Sequence, residues 1–403
     1  MIRRVATITL ALLPLAGSAQ EKLVPLFNGK TLDGWGVCNG SAPYKVEERT
    51  IVGTTAEGSP NSFLCTKREY GDFILEFETK TDPALNSGVQ IRSHRYAADA
   101  TVQTFNGKRM VERKHPAGRV HGYQVEVSNE KAGNSGGIYD EARRGWIASI
   151  AADPAASKAF KDNQWNHYRV VARGDSIKTW VNGVACADLV DPLDQTGFIA
   201  LQVHAYKGEK PVQVRWRNIR IQDLGRHAWK PVWDGKTLDG WTRSGGGTWT
   251  IESGAIHAAS AAGDARTAFL ISDGAYKDVT ARLKFKIVKG NSGFFVRADQ
   301  KTLAGYEADI DEAKATGGLY EVGGRRWVTA PEDNAVVKKD DWNEMTVSVH
   351  GRRVVIHVNG FKTVDLPNDI QGRLEGHLAL QAHGKRETEV WFKDIEVLEP
   401  VAK

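Results

Sequence analysis

The sequence predicts an all-β protein of two tandem sandwich domains. Three observations carry this: one set of motifs occurs twice in the same order, apolar and polar residues alternate with period two in segment after segment, and no apolar pattern of helical period persists over a dozen residues.

The chain has 403 residues, enough for each of two domains to bury its own core. Its first segment, MIRRVATITLALLPLAGSAQ, has a basic end (Arg3, Arg4), an apolar stretch (Val5 to Ala16) and the small residues Gly17-Ser18-Ala19. That is the pattern of a secretory signal over 1–19. The apolar run is too short to span a bilayer, and no Cys follows it to take a lipid. The expected location is periplasmic or extracellular, with no membrane partner. The formal charge of +5 includes two arginines of the leader, and the remaining bases are interleaved with acids along the chain. Nucleic-acid binding therefore has little support.

After the leader the chain reads as one domain written twice, over 20–225 and 226–403, with the join near Gly225–Lys230. VPLFNGKTLDGW (24–35) recurs as KPVWDGKTLDGW (230–241), NSGVQIR (86–92) as NSGFFVR (291–297), and GYQVEV (122–127) as GYEADI (305–310). GGIYDEARRGW (136–146) recurs as GGLYEVGGRRW (317–327), and QWNHYRVVARGDSIKTWVNG (164–183) as DWNEMTVSVHGRRVVIHVNG (341–360). GFIALQVHA (197–205) matches GHLALQAHG (376–384), and VRWRNIRI (214–221) matches VWFKDIEV (390–397). The period is far too long for a solenoid. The first copy is longer, mainly through a basic insertion between Ser93 and Gly122 that carries His94, His115 and His121, expected to face solvent.

Segments such as FILEFETK, YQVEVS, YRVVAR, IKTWVNG, FIALQVHA and VRWRNIRI alternate as half-buried strands do, and RGDS and VNGV separate them as tight turns. A short helical turn is expected only at Ala155–Phe160. Trp35, Trp165 and Trp180 read as core. Cys38, Cys65 and Cys186 are too few for a disulfide framework, and no CxxC spacing suggests a metal site; Cys38 could pair with Cys65, or all three could be buried thiols.

Taken together, LFNGKTLDGW, NSGVQIR, GYQVEV, GGIYDEARRGW, the WNHYRV…VNG hairpin, ALQVH and RNI resemble the 3-keto-disaccharide hydrolase family, also called 3-keto-glucoside lyase/hydratase, over nearly all of both repeats. The resemblance implies a concanavalin-like or glucanase-like jelly roll that binds sugars on one sheet face. It also implies action on glucosides already oxidised to a ketone at C3.

Alternation locates a polar face independently. Val89 and Ile91 point one way while Gly88, Gln90 and Arg92 point the other; Gln124, Glu126 and Ser128 oppose Tyr123, Val125 and Val127; Gln202 and His204 oppose Leu201 and Val203. If these strands are neighbours, Gln90, Arg92, Gln124, Glu126, Gln202 and His204 form one polar wall, repeated in copy 2 by Phe295, Arg297, Glu307, Asp309, Gln381 and His383. A wall of Gln, His and Arg differs from the Lys, Glu, Thr and Ser of an ordinary solvated face. Beside it, Tyr139 and Trp146 could lie against a pyranose and Arg143 and Arg144 could bond its oxygens, with Asp140 and Glu141 either joining them or pairing with the arginines.

A ketone at C3 acidifies the C2 hydrogen, so a base can remove it while the aglycone leaves C1; such chemistry needs a base, an acid and an enolate stabiliser. Glu126 and His204 are the titratable pair, with either order of roles open, and Arg92 is the expected cation. No cofactor is called for; a divalent metal could replace the cation, but the histidines show no ligand spacing. One alternative is a retaining glycosidase, for which copy 2 offers Glu307-Ala-Asp309-Ile-Asp311-Glu312; copy 1 has Gln124, Glu126 and Asn129 there and lacks the two acids needed about 5 Å apart. The other is a non-catalytic carbohydrate-binding protein. Copy 1, with the full Tyr139–Trp146 segment and the insertion, is the expected active copy.

Overall fold

In a computed structural model, residues 22–105, 109–128, 133–264, 266–331 and 336–402 are described. The leader at 1–19 lies outside them. Among the described residues, apart from one 3-10 turn at Ala156–Lys158, the regular elements are β-strands. Among the described residues no helix is long and apolar enough to cross a membrane.

Residues 24–225 form an eight-stranded and a seven-stranded antiparallel sheet, and residues 227–400 form another such pair. Each pair is a sandwich of jelly-roll type. In copy 1 the seven-stranded sheet runs, edge to edge, Gly145–Ala148, Ile138–Glu141, Val120–Val127, Ser87–Arg95, Phe198–Val203, Ser62–Thr66 and Trp35–Asn39. Copy 2 repeats that order with Arg326–Thr329, Leu319–Val322, Gly305–Asp311, Asn291–Ala298, Gly376–Ala382, Ala268–Tyr276 and Trp241–Ser244. The three strands of the expected polar wall are therefore adjacent.

The period-two pattern fills the space between the sheets. Val89, Ile91, Tyr123, Val125, Leu201 and Val203 pack against Leu75, Phe77, Tyr168, Val170 and Trp216 of the facing sheet, all buried. Phe294, Val296, Ala308, Ile310 and Leu380 do the same against Leu283, Phe285, Met345 and Val347 in copy 2. Burying this apolar area from water is the main drive to fold each sandwich. Trp35 joins the core, whereas Trp165 and Trp180 are only half-buried; Trp165 lies 4.0 Å from the Arg217 guanidinium.

The basic insertion is not a loose loop. It pairs Ala100–Phe105 with Met110–His115 as a hairpin standing off the sandwich. Its histidines are not simply solvent-facing: Tyr96 stacks on both His121 (4.1 Å) and His115 (5.8 Å). Burial, then the nearby Arg143 charge, pushes the His121 imidazole down to about 4. Cys38, on the edge strand, and Cys65, on the strand paired with it, have Cα atoms 6.0 Å apart and are joined in a disulfide, and Cys186 is a free thiol.

Candidate functional site

Two rows of residues cross the seven-stranded sheet of copy 1. In the first, Trp146 sits opposite Tyr139, Tyr139 opposite Gln124, and Gln124 opposite Gln90. In the second, Glu126 sits opposite Gly88, Gly88 opposite Gln202, and Gln202 opposite Phe63. The glycine in NSG is required here: a Cβ on Gly88 would come within 2.4 Å of the Gln124 side chain, which folds over it.

Above these rows lies a cleft of ≈ 460 Å³. Glu126, His204, Gln124, Tyr139, Glu141, Arg143 and Trp146 line it, all expected from the sequence, together with His115, expected to face solvent, and Asn61, Asn86, Thr104, Arg113 and Arg119, which the sequence did not single out. Thr104, Arg113 and His115 come from the hairpin, which walls in one side.

Glu126 is buried and held by two amides: Asn86 Nδ2 donates to Oε1 at 2.6 Å and Gln124 Nε2 to Oε2 at 3.0 Å. Behind them Ser93 Oγ donates to Gln90 Oε1 and Gln90 Nε2 to Gln124 Oε1, each at 2.7 Å. This chain orients the carboxylate as relayed hydrogen bonds do. His204 Nδ1 lies 2.8 Å from the Ala205 carbonyl, an acceptor. In the neutral ring Nδ1 thus carries the proton and Nε2 is the nitrogen left for proton exchange. Asn61 braces both sides, donating to Glu141 Oε1 and accepting from the Ala205 amide. Tyr139 and Trp146 meet edge to face at 5.3 Å, and Trp146 stays 43% exposed, open to a ligand ring.

Five expected site residues take other places. Arg92 does not join the wall. It stands at φ 45° in a β-bulge where two residues of its strand face one on each neighbour, so alternation fails there. Fully buried, it donates to the carbonyls of Gly71 (2.7 Å), Gly174 (2.6 Å) and Asp194 (3.3 Å) and pairs with Asp72 at 3.0 Å. Arg297 repeats the bulge at φ 55° and bonds the carbonyls of Lys277, Gly351 and Arg373. The arginine shared by both copies is a structural tie. Gln90 lies beneath the cleft rather than in it. Gln202 is wholly buried off the cleft lining, with neither amide atom hydrogen-bonded among the described residues.

Asp140 and Arg144 also lie off the cleft lining. Asp140 is buried between the guanidiniums of Arg143 and Arg144; burial alone would raise its carboxyl, but the two charges hold it below the usual carboxylate range. Arg144 continues to Asp191 (2.8 Å) and to the Gly360 carbonyl of copy 2. Arg143 reaches the cleft while bound to Asp140 and Asp194, and Glu141 reaches it while bound to Arg119. Arg119 Nη1 is buried with no partner among the described residues. Among those residues, no three His, Cys, Asp or Glu side chains group so as to hold a metal ion.

Copy 2 has the counterpart cavity, ≈ 470 Å³, lined by Glu307, Asp309, Gln381, His383, Tyr320 and Trp327 among others. Burial, then the charge of Asp309, raises the Glu307 carboxyl well above the usual range, and burial with Asp311 nearby pushes Asp309 up to about 7 against the hydrogen bonds from Asn291.

Among solved structures the chain is similar to a candidate glycosyl hydrolase from Parabacteroides distasonis ATCC 8503 (20% identity, 43% of this chain and 94% of that one, TM-score 0.33). It is also similar to the carbohydrate-binding module CBM66 from Bacillus subtilis (18% identity, 39% and 93%, TM-score 0.33). A third is a galectin-like protein of unknown function from Bacillus subtilis (11% identity, 41% and 92%, TM-score 0.33). Likenesses this distant carry no functional argument. No protein of curated function matches the chain. The profile of the 3-keto-alpha-glucoside-1,2-lyase-like domain matches twice, over residues 22–222 and 228–398, and the chain belongs to that family.

Proposed function

We propose that the copy 1 cleft takes a glucoside bearing a ketone at C3 and cleaves it by elimination and rehydration. The base removes the C2 proton, that electron pair forms the C1–C2 double bond, and the C1–O bond breaks as the acid protonates the departing aglycone oxygen. Water then adds back, its proton to C2 and its hydroxyl to C1, releasing 3-ketoglucose. The observation that carries this is the pairing, in one cleft, of an amide-held carboxylate (Glu126) with an imidazole whose Nε2 is available (His204). With Arg92 withdrawn, Arg119 takes the role of cation for the developing enolate, since its buried Nη1 lacks a partner among the described residues and it lines the cleft. Tyr139 and Trp146 hold the ring. In this reading 20–225 and 226–403 are the two functional units, the leader exports the chain to the periplasm or medium, and copy 2 supports copy 1.

Incubation with a 3-keto-disaccharide in D2O tests it. Release of 3-ketoglucose deuterated at C2 is expected, since the proton abstracted is replaced from solvent. Release without deuterium, or cleavage of the unoxidised disaccharide, favours a direct glycosidase. Binding without cleavage of either favours a carbohydrate-binding protein.

A further inference from the structure

The two cavities differ in their charged groups. Copy 1 presents Arg113, Arg119 and Arg143, whereas the copy 2 lining holds no lysine or arginine. Gly324 stands where copy 1 has Arg143, Val322 where it has Glu141, and Glu307 where it has Gln124. The last exchange removes the amide that serves Glu126 in copy 1 and puts an acid beside Asp309. Two buried acceptors line this cavity without partners, although Glu307 and Gln381 share a hydrogen bond through their other atoms. Glu307 and Gln381 are each 4% exposed and line the cavity, and the Oε1 of each is buried with no hydrogen-bond partner among the described residues. A buried polar atom without a partner costs about 1–3 kcal/mol, so this cavity is built for a ligand that brings donors.

We infer that the copy 2 cavity is a second saccharide site, selective for a sugar ring carrying a protonated amine. This rests on the proposal that these cavities hold sugars. Glu307 and Asp309 are two apart on one strand and so share a face. An ammonium group between them satisfies both, and its three N–H donors also serve the stranded oxygen of Gln381. Tyr320 and Trp327, edge to face at 5.4 Å with Trp327 47% exposed, offer aromatic faces to the ring and its charge, and Leu303 and Val322 add apolar surface. Burial favours the protonated form of both carboxyls in the empty cavity, so an entering cation drives protons off to solvent. The arginines of copy 1 repel the same ligand.

Titration calorimetry of the whole exported chain with D-glucosamine, D-glucose and N-acetylglucosamine, in buffers of differing ionisation heat, tests this. Glucosamine is expected to bind at least about tenfold more tightly than the two uncharged sugars, as charge-assisted bonds require, with protons released to the buffer. The double variant Glu307→Gln/Asp309→Asn should lose that preference; Gln is the residue copy 1 itself carries there, so the fold tolerates it. Glu126→Gln should keep it. Equal affinity for the three sugars, no binding, a preference that survives the double variant, or one that vanishes with Glu126→Gln overturns the inference. Turnover of a 3-keto-glucoside, scored separately, decides the copy 1 reading.

Discussion

Replacing Arg92 by Ala separates a structural tie from a catalytic cation. The substitution removes a guanidinium with no exposed surface, leaves Asp72 without its buried ion-pair partner, and strips a donor from three carbonyls. Breaking a buried pair from one side costs about 3–5 kcal/mol. Asp72 keeps His227 Nδ1 at 2.6 Å and the Gly174 amide at 2.9 Å, which argues for the lower end, while the three carbonyls add to it. A loss of about 4 kcal/mol should lower the copy 1 melting temperature by roughly 8–16 °C for a domain of this size. Arg297→Ala is the internal control. It loses three carbonyls too, but its partner Asp278 is 61% exposed, so the ion pair contributes little and about 2 kcal/mol is expected. Calorimetric melting of both variants, beside turnover below the melting range, gives the answer. An Arg92→Ala protein that melts like the parent but has lost turnover would refute the reasoning and return Arg92 to the reaction.

Three further outcomes are expected. Glu126→Gln or His204→Ala should lower turnover of a 3-keto-glucoside by roughly a hundredfold or more without changing the melting temperature, whereas Asp309→Asn and His383→Ala should matter far less; the reverse pattern would move the activity to copy 2. Asp309 is raised in the folded chain, from 3.8 to about 7, so the stability tied to its protonated form is complete below about pH 4 and lost as pH rises through 7. Asp309→Asn should therefore stabilise copy 2 above pH 7, by up to about 4 kcal/mol at about 1.4 kcal/mol per pH unit, and the gain should vanish in acid; denaturant unfolding across pH reads it. The Cys38–Cys65 bridge, closing 27 residues, should contribute about 3.5 kcal/mol; thiol alkylation of the unfolded, unreduced chain should find one reactive cysteine, and three after reduction.

Period-two alternation and internal repetition determined much of this protein from sequence alone. They require that Val89, Tyr123, Val125 and Leu201 point into a core, and that puts Gln124 and Glu126 on the opposite face whatever the strand order. Local steric rules also placed the tight turns. What alternation cannot register is one extra residue: the bulge at Arg92 turns that side chain off the wall, and its repetition at Arg297 is shared architecture. Nor does a pattern along one strand say what lies across from it. Asn61, Asn86 and Arg119 reach the cleft from strand ends, and Arg113 and His115 from a hairpin whose place depends on the sandwich beneath it. Asp140 and Arg144 went the other way, because an acid flanked by two arginines can face a ligand or be buried with them, and only the approach of Asp191 and Gly360 decided it. Local sequence sets which face a side chain takes; long-range packing, which brings charges together out of water, sets whether it is left for a ligand.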